Sequence, residues 1–264
     1  MRHWLDVPFS ENHLAKACGA RRDPAARRWY APRPGMPGLE RWAARPGLPA
    51  LLPGEDRAFG SGLFVDLVPA SCWFTNARTC ISERDWERVR RLVTTRAGRR
   101  CEACHRGEDR DQGRWLEAHE RWQFDTAGRR QILRRLVCLC TDCHSATHFG
   151  LAQLRGEDGQ AVAHLRAVTG MSRHGAEQHV SAAFAVWEQR SGITWDLDLS
   201  MLTAAGIALA RPVTTAGERP QAAARALIQQ GPPAPQPPAT TYANRPRSPG
   251  LGARWERWLK TGKR

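Results

Sequence analysis

The stretch LCTDCHSATH, residues 139–148, decides the fold of the middle of the chain. It contains Cys140 and Cys143, separated by two residues, and Cys101 and Cys104 show the same spacing earlier in the chain. Two such pairs supply the four thiolates that a tetrahedral zinc ion takes from two short turns. We therefore predict a structural Zn2+ site. The remaining cysteines are expected to be buried free thiols: Cys18, Cys72, Cys80 and Cys138.

Histidines accompany both cysteine pairs. His144 and His148 stand four residues apart, so in the short helix expected here both imidazoles project from one face and can bind one ion. The segment between the pairs holds His119 on a predicted strand over residues 116–122. Neighbouring side chains of a strand point to opposite faces, so His119 and Glu120 cannot both face one ion unless the strand twists or bulges.

In this order of motifs, residues 83–152 resemble the HNH endonuclease family: a cysteine pair, a strand with a paired acid or histidine, a loop, and Leu-Cys-x-x-Cys-His-x-x-x-His. The resemblance implies an α+β fold with a ββα-metal (HNH/His-Me finger) core and zinc knuckles. It implies that His119, His144 and His148 surround a catalytic divalent metal, Mg2+, Mn2+ or Zn2+. The activity it implies is metal-dependent endonuclease hydrolysis of phosphodiester bonds in DNA.

Two positions depart from the family pattern. Glu120 stands where the family has the histidine that acts as general base, and Arg135 stands where an asparagine is usual. A glutamate with its ordinary pKa of about 4.3 is a weaker base at neutral pH than histidine unless burial raises that pKa. A subgroup with His-Glu followed by Trp122 and Asp125 is similar, so we predict His119 as a ligand and Glu120 as the base. The alternative is that His119 is the base.

The charge is concentrated at the two ends of the chain. The net charge is +14, with nine basic residues against four acidic ones in residues 1–50 and ten against two in residues 211–264. Basic ends around a near-neutral centre favour arms that hold a polyanion, so removal of residues 231–264 is expected to weaken DNA binding at low salt. We predict DNA as the partner, and RNA stays open because basic arms contact phosphate rather than sugar.

The N-terminal residues resemble a short bacterial domain of unknown function. The resemblance rests on residues 5–8 (LDVP), residues 19–21 (GAR) and residues 28–30 (RWY). It covers about 45 residues, and it implies a small basic α+β module over residues 1–48. Because such domains accompany DNA-handling proteins, the resemblance favours nucleic-acid binding.

The rest of the chain is divided by composition. A linker rich in proline and glycine is predicted over residues 49–62, the zinc and nuclease domain with C-terminal helices over residues 63–210, and a largely disordered, Pro-rich basic tail over residues 211–264. Within the second domain, helices are predicted after Ser82, over residues 160–169 and over residues 173–191, and a buried strand over residues 63–68.

Two further expectations concern location and function class. The chain has no run of about 18 apolar residues and starts with MRHWLD, which is unlike a signal peptide, so we expect a cytoplasmic protein without membrane contact. A catalytically inactive, zinc-dependent nucleic-acid-binding module of HNH ancestry is the alternative to the nuclease. The sequence does not indicate an oligomeric state.

Overall fold

The computed structural model describes residues 2–45, 47–73, 75–210 and 218. The architecture is α+β, as predicted. Contacts divide the chain into two compact units, the first from residues 1–62, 76–141 and 198–213, the second from residues 63–75, 142–197 and 214–264. The division crosses helix α4 (Thr141–Thr147), so this helix belongs to both units.

The N-terminal part of the first unit is a small sheet backed by one helix. Its strands are β1 (His3–Leu5), β2 (Arg21–Asp23) and β3 (Arg28–Ala31), all antiparallel, with β3 in the centre. Helix α1 (Asn12–Ala17) follows a short 3-10 turn and ends before Gly19, whose φ of 85° favours glycine. The core of this module is formed by buried side chains: Leu5, Val7, Ala15, Ala20, Ala31, Leu39 and Trp42.

A long hairpin dominates the remainder of the first unit. Strands β4 (Leu116–Asp125) and β5 (Arg130–Cys140) pair antiparallel, and β6 (Asp196–Asp198) adds to the other edge of β5. The run 136–140 of β5 is buried on both faces of the sheet, which explains its unbroken apolar sequence, LVCLC.

Three helices accompany the hairpin. They are α2 (Ala77–Cys80), α3 (Glu83–Arg96) and α8 (Ser200–Thr203). The predicted cap of α3 is present, because the Ser82 hydroxyl accepts a hydrogen bond from Asp85 N at 3.0 Å. Residues 49–62, predicted as a linker, contain the buried Glu55, which accepts hydrogen bonds from Arg96 of α3 and from Leu136 N of β5.

The second unit is helical. It contains most of α4, then α5 (Phe149–Leu154), α6 (Asp158–Thr169) and α7 (Arg173–Ser191). The predicted helix over residues 173–191 is confirmed, and α6 begins two residues before its predicted start. Helix α7 buries Val180, Phe184 and Trp187 along one face, as their spacing indicates.

The predicted strand over residues 63–68 is wrong. Leu63, Val65 and Leu67 are buried in alternation with half-buried neighbours, as in an extended chain, but no strand pairs with them in the described residues. Their backbone groups bond elsewhere in the unit, with Val65 N donating to His179 Nε2 at 3.0 Å.

No helix among the described residues has the length and apolar character that crossing a membrane requires. The predicted tail over residues 211–264 lies outside the described residues, apart from residue 218.

Candidate metal centre

The two cysteine pairs converge. Sulfur atoms of Cys101, Cys104, Cys140 and Cys143 all lie within 4.8 Å of one another, and those of Cys104 and Cys140 are 3.5 Å apart. A tetrahedron with Zn–S bonds of about 2.3 Å has sulfur–sulfur edges of about 3.8 Å, so the cluster fits a structural zinc ion. The predicted convergence of the two cysteine pairs is therefore present, and all eight cysteines, which lie among the described residues, are free thiols.

Local backbone geometry shapes the first pair into a knuckle. Cys101 N bonds to Arg106 O at 2.9 Å, and His105 N bonds to Cys101 O at 2.9 Å. Cys104 N points at the sulfur of Cys101 at 3.5 Å, the contact through which a backbone amide supports a metal-bound thiolate. His105 has a φ of 61°, which closes the turn.

Glu102 lies between the two cysteines of this knuckle and connects the knuckle to β5. Its carboxylate accepts hydrogen bonds from Cys138 N at 3.0 Å, from Arg135 at 2.7 Å and from Arg57 at 2.9 Å. Arg135, which departs from the family pattern, therefore has a structural role, because it neutralises the acid that fixes the first cysteine pair.

Cys138 is a further buried thiol, on β5 two residues before Cys140. Burial raises the pKa of the Cys138 thiol to about 12, and negative charge at Cys101 and Glu102 adds to the effect. The predicted free thiols Cys72 and Cys80 are also buried, whereas Cys18 is half-buried.

One residue beside the cysteine cluster, His164, carries no signal in the sequence. This residue of α6 places Nε2 3.1 Å from the sulfur of Cys143, and it groups with Cys140 and Asp142 within 4.8 Å. Nothing in the local sequence marks it, because it lies on a separate helix some twenty residues beyond the second cysteine pair.

The three predicted histidines also converge. One ring nitrogen each of His119, His144 and His148 lies within 4.8 Å of the others. His119 is buried on β4, opposite Val137 of β5. His144 stands on α4 and His148 at the junction with α5, where its N–H bonds to His144 O at 2.9 Å. Their rings meet edge to face, with centroids 4.6 Å apart.

Glu120 is not a member of this group. Its carboxylate accepts a hydrogen bond from Ala77 N at 2.8 Å, at the amino end of α2. The irregularity of β4 falls after it, between Arg121 and Trp122, so the alternation of side chains holds at His119 and Glu120. Burial raises the pKa of Glu120 to about 7, although the backbone N–H groups of Ala77 and Arg78 act in the opposite direction.

The comparisons with known proteins concern the N-terminal module alone. The model of a family described as a domain of unknown function, DUF5710, matches residues 2–43, which confirms the predicted resemblance of this segment. No curated protein and no solved structure matches the chain.

Proposed function

We propose that this protein is a metal-dependent endonuclease of the HNH kind that hydrolyses phosphodiester bonds in DNA. The observation that carries the proposal is the approach of His119, His144 and His148 within 4.8 Å, beside a four-cysteine cluster fitted to zinc. The hairpin β4–β5 followed by α4 is the order of elements that a ββα-metal core requires.

The histidine cluster suits a catalytic rather than a purely structural metal. Three imidazoles leave at least one coordination position open, whereas a structural zinc site is closed by four protein ligands. Metal–nitrogen bonds are about 2.0–2.1 Å, so small ring movements bring the three nitrogens into bonding range. A bound divalent ion would supply a Lewis acid for the phosphate and an acidified water.

The chain's own residues have separate roles in this proposal. His119 is held by the ladder between β4 and β5, His144 lies in α4, and His148 at the junction of α4 and α5 is tied to it by a hydrogen bond from its N–H to His144 O. The cysteine cluster fixes the start of α4, because Cys143 stands one residue before His144. Zinc binding thereby positions the catalytic ligands.

For the proton acceptor we propose Glu120. A carboxyl group with a pKa of about 7 is a better base at neutral pH than an ordinary glutamate, which compensates for its replacement of histidine. Adjacent residues of β4 point to opposite faces, so the carboxylate of Glu120 is directed away from the histidine cluster, and His119 is the alternative base.

A second function has one specific observation in its favour. Glu120 is bonded to the amino end of α2, which is also what a purely structural acid would do. The chain would then be a catalytically inactive, zinc-dependent module that binds nucleic acid.

Incubation of the purified protein with supercoiled plasmid and Mg2+, Mn2+ or Zn2+ separates the two functions. The nuclease proposal predicts nicking by the wild type, loss of nicking in His119→Ala, and retained DNA binding in that variant. His174→Ala is the matched control, because His174 is exposed on α7 and should nick like the wild type. DNA binding without nicking by the wild type in every metal would establish the binding module instead.

A further inference from the structure

One face of the N-terminal sheet carries aromatic rings that the core of the module does not use. Trp4 of β1 pairs with Tyr30 of β3, which in turn pairs with Arg21 of β2, so these three side chains form one row. Leu5 and Trp29, in the next row, point to the opposite face. That opposite face packs on the module core, of which neither Trp4 nor Tyr30 is a member.

Arginines surround this pair of rings. The rings of Trp4 and Tyr30 meet edge to face, with centroids 6.0 Å apart. The guanidinium of Arg28 lies 5.1 Å from the centroid of Trp4, and that of Arg2 lies 5.3 Å from the centroid of Tyr30. Both rings are half-buried and Arg21 is exposed, so the row is accessible from solvent.

The net charge of this face is positive, because its three arginines, Arg2, Arg21 and Arg28, outnumber its two acids, Asp6 and Asp23. Asp23 forms an ion pair with Arg2. Asp6 is buried and forms ion pairs with Arg28 and with Arg91 of α3. Within the described part of the module, these pairs neutralise the carboxylates that would repel a polyanion from this face, and Arg21 adds a further positive charge.

We infer that this aromatic face, formed by Arg2, Trp4, Arg21, Arg28 and Tyr30, binds single-stranded nucleic acid. Aromatic side chains on an open sheet stack on unpaired bases, and neighbouring arginines contact the phosphates. In a duplex the bases are stacked on one another and closed to such rings. The face is therefore expected to bind single strands more tightly than duplex. This binding role is separate from that of the metal centre, which is proposed to act on the phosphodiester bond.

The inference rests on the proposed function only in the premise that the chain handles nucleic acid. It is tested by binding in the absence of added divalent ions, where no cleavage has to occur. A failure of the nuclease proposal in the plasmid assay thus leaves this measurement intact.

The test uses the full chain and fluorescence anisotropy of a labelled oligothymidylate of about 15 nucleotides, compared with a duplex of equal length at fixed salt. Tyr30→Leu should weaken single-strand binding about tenfold, and Tyr30→Phe, which keeps the ring, should bind like the wild type. Phe9→Leu is the matched control, since Phe9 is the most exposed aromatic residue of the same module, at 86%. It should leave the affinity unchanged.

A second variant keeps the test valid if Tyr30→Leu does not fold. Arg21→Gln changes an exposed residue, so the melting temperature should stay that of the wild type. The affinity for single strands should fall, and the slope of log affinity against log salt concentration should become smaller in magnitude by about one. Wild-type affinity in both Tyr30→Leu and Arg21→Gln would overturn the inference. An equal loss for single strand and duplex in Tyr30→Leu would overturn it as well, because it would show that the ring supports the fold rather than stacking on bases.

Discussion

The ring of His164 faces a cysteine of the four-thiolate cluster, with Nε2 3.1 Å from the sulfur of Cys143. The two residues stand on different helices of the second unit, α6 and α4. A four-thiolate zinc site carries excess negative charge, and an N–H donor outside the ligand shell spreads that charge and orients the sulfur. His164 thus links the zinc cluster to the helices that follow it.

Removal of this donor should loosen the metal. His164→Phe keeps a flat ring but has no N–H group, so we expect zinc affinity to fall by about 10- to 100-fold. Competition with a chromophoric chelator measures the affinity directly. His164→Gln, which retains an N–H donor, should restore part of the loss, and His174→Phe on the exposed face of α7 should change nothing. Equal affinities for the wild type and His164→Phe would show that the contact has no influence on the metal.

Zinc removal should destabilise the hairpin and α4 together. The four cysteines lie in the knuckle after α3, at the end of β5 and at the start of α4, so a zinc ion bound to them would supply folding free energy by holding these elements together. A strong chelator, added under reducing conditions, should lower the melting temperature recorded by circular dichroism. Cys101→Ser should melt at a low temperature with or without the chelator. A wild-type melting curve that the chelator does not move would contradict this.

The sequence predicted those parts of the site that depend on local spacing. Cysteines separated by two residues and histidines separated by four are fixed relative to each other by one turn or one helix, so their convergence follows from local geometry. The same holds for α3 and α7, whose apolar periodicity and serine caps are local signals.

Partners that lie far apart in the chain could not be predicted. His164 meets Cys143, and Glu120 meets Ala77, across distances in sequence that no periodicity encodes. Strand β2 was missed because RRD has neither apolar alternation nor branched side chains, and only its pairing with β3 makes it a strand. At residues 63–68 the error was the reverse, because a strand was predicted and none forms. Their burial alternates as in a strand, but the amide of Val65 donates to the side chain of His179 rather than to a neighbouring strand.

The titration of Glu120 should be visible in the pH dependence of stability. Its pKa is raised in the folded protein to about 7, above the ordinary value, so the neutral form is favoured by folding. Stability from this group is fully present below about pH 4.5 and is lost as the pH rises through about 7. We expect Glu120→Gln to remove this loss and to raise the free energy of unfolding at pH 8 by on the order of 2 kcal/mol.

Urea unfolding at pH 5 and pH 8 checks this, with Glu177→Gln as the control because Glu177 is exposed on α7. The same Glu120→Gln protein also tests the base. The glutamine keeps an oxygen for Ala77 N but cannot take a proton, so loss of nicking with unchanged metal affinity is the expected result. Full nicking by this variant would remove Glu120 from the catalytic assignment.

The ion pair between Arg135 and Glu102 should contribute far more to stability than an exposed pair of similar length. Its nitrogen and oxygen are 2.7 Å apart, and the two side chains are only 7% and 13% exposed. Arg135→Met removes the buried cation and leaves Glu102 paired with Arg57 alone, whose side chain is 38% exposed, so the free energy of unfolding should fall by about 1.5–3 kcal/mol. Arg173→Met provides the control, because the pair Arg173–Glu177 at 3.0 Å is 64% and 56% exposed and should contribute less than about 1 kcal/mol. Since Glu102 also holds Cys138 N, Arg135→Met should release zinc faster than Arg173→Met, and equal unfolding energies for the two variants would refute the structural role of Arg135.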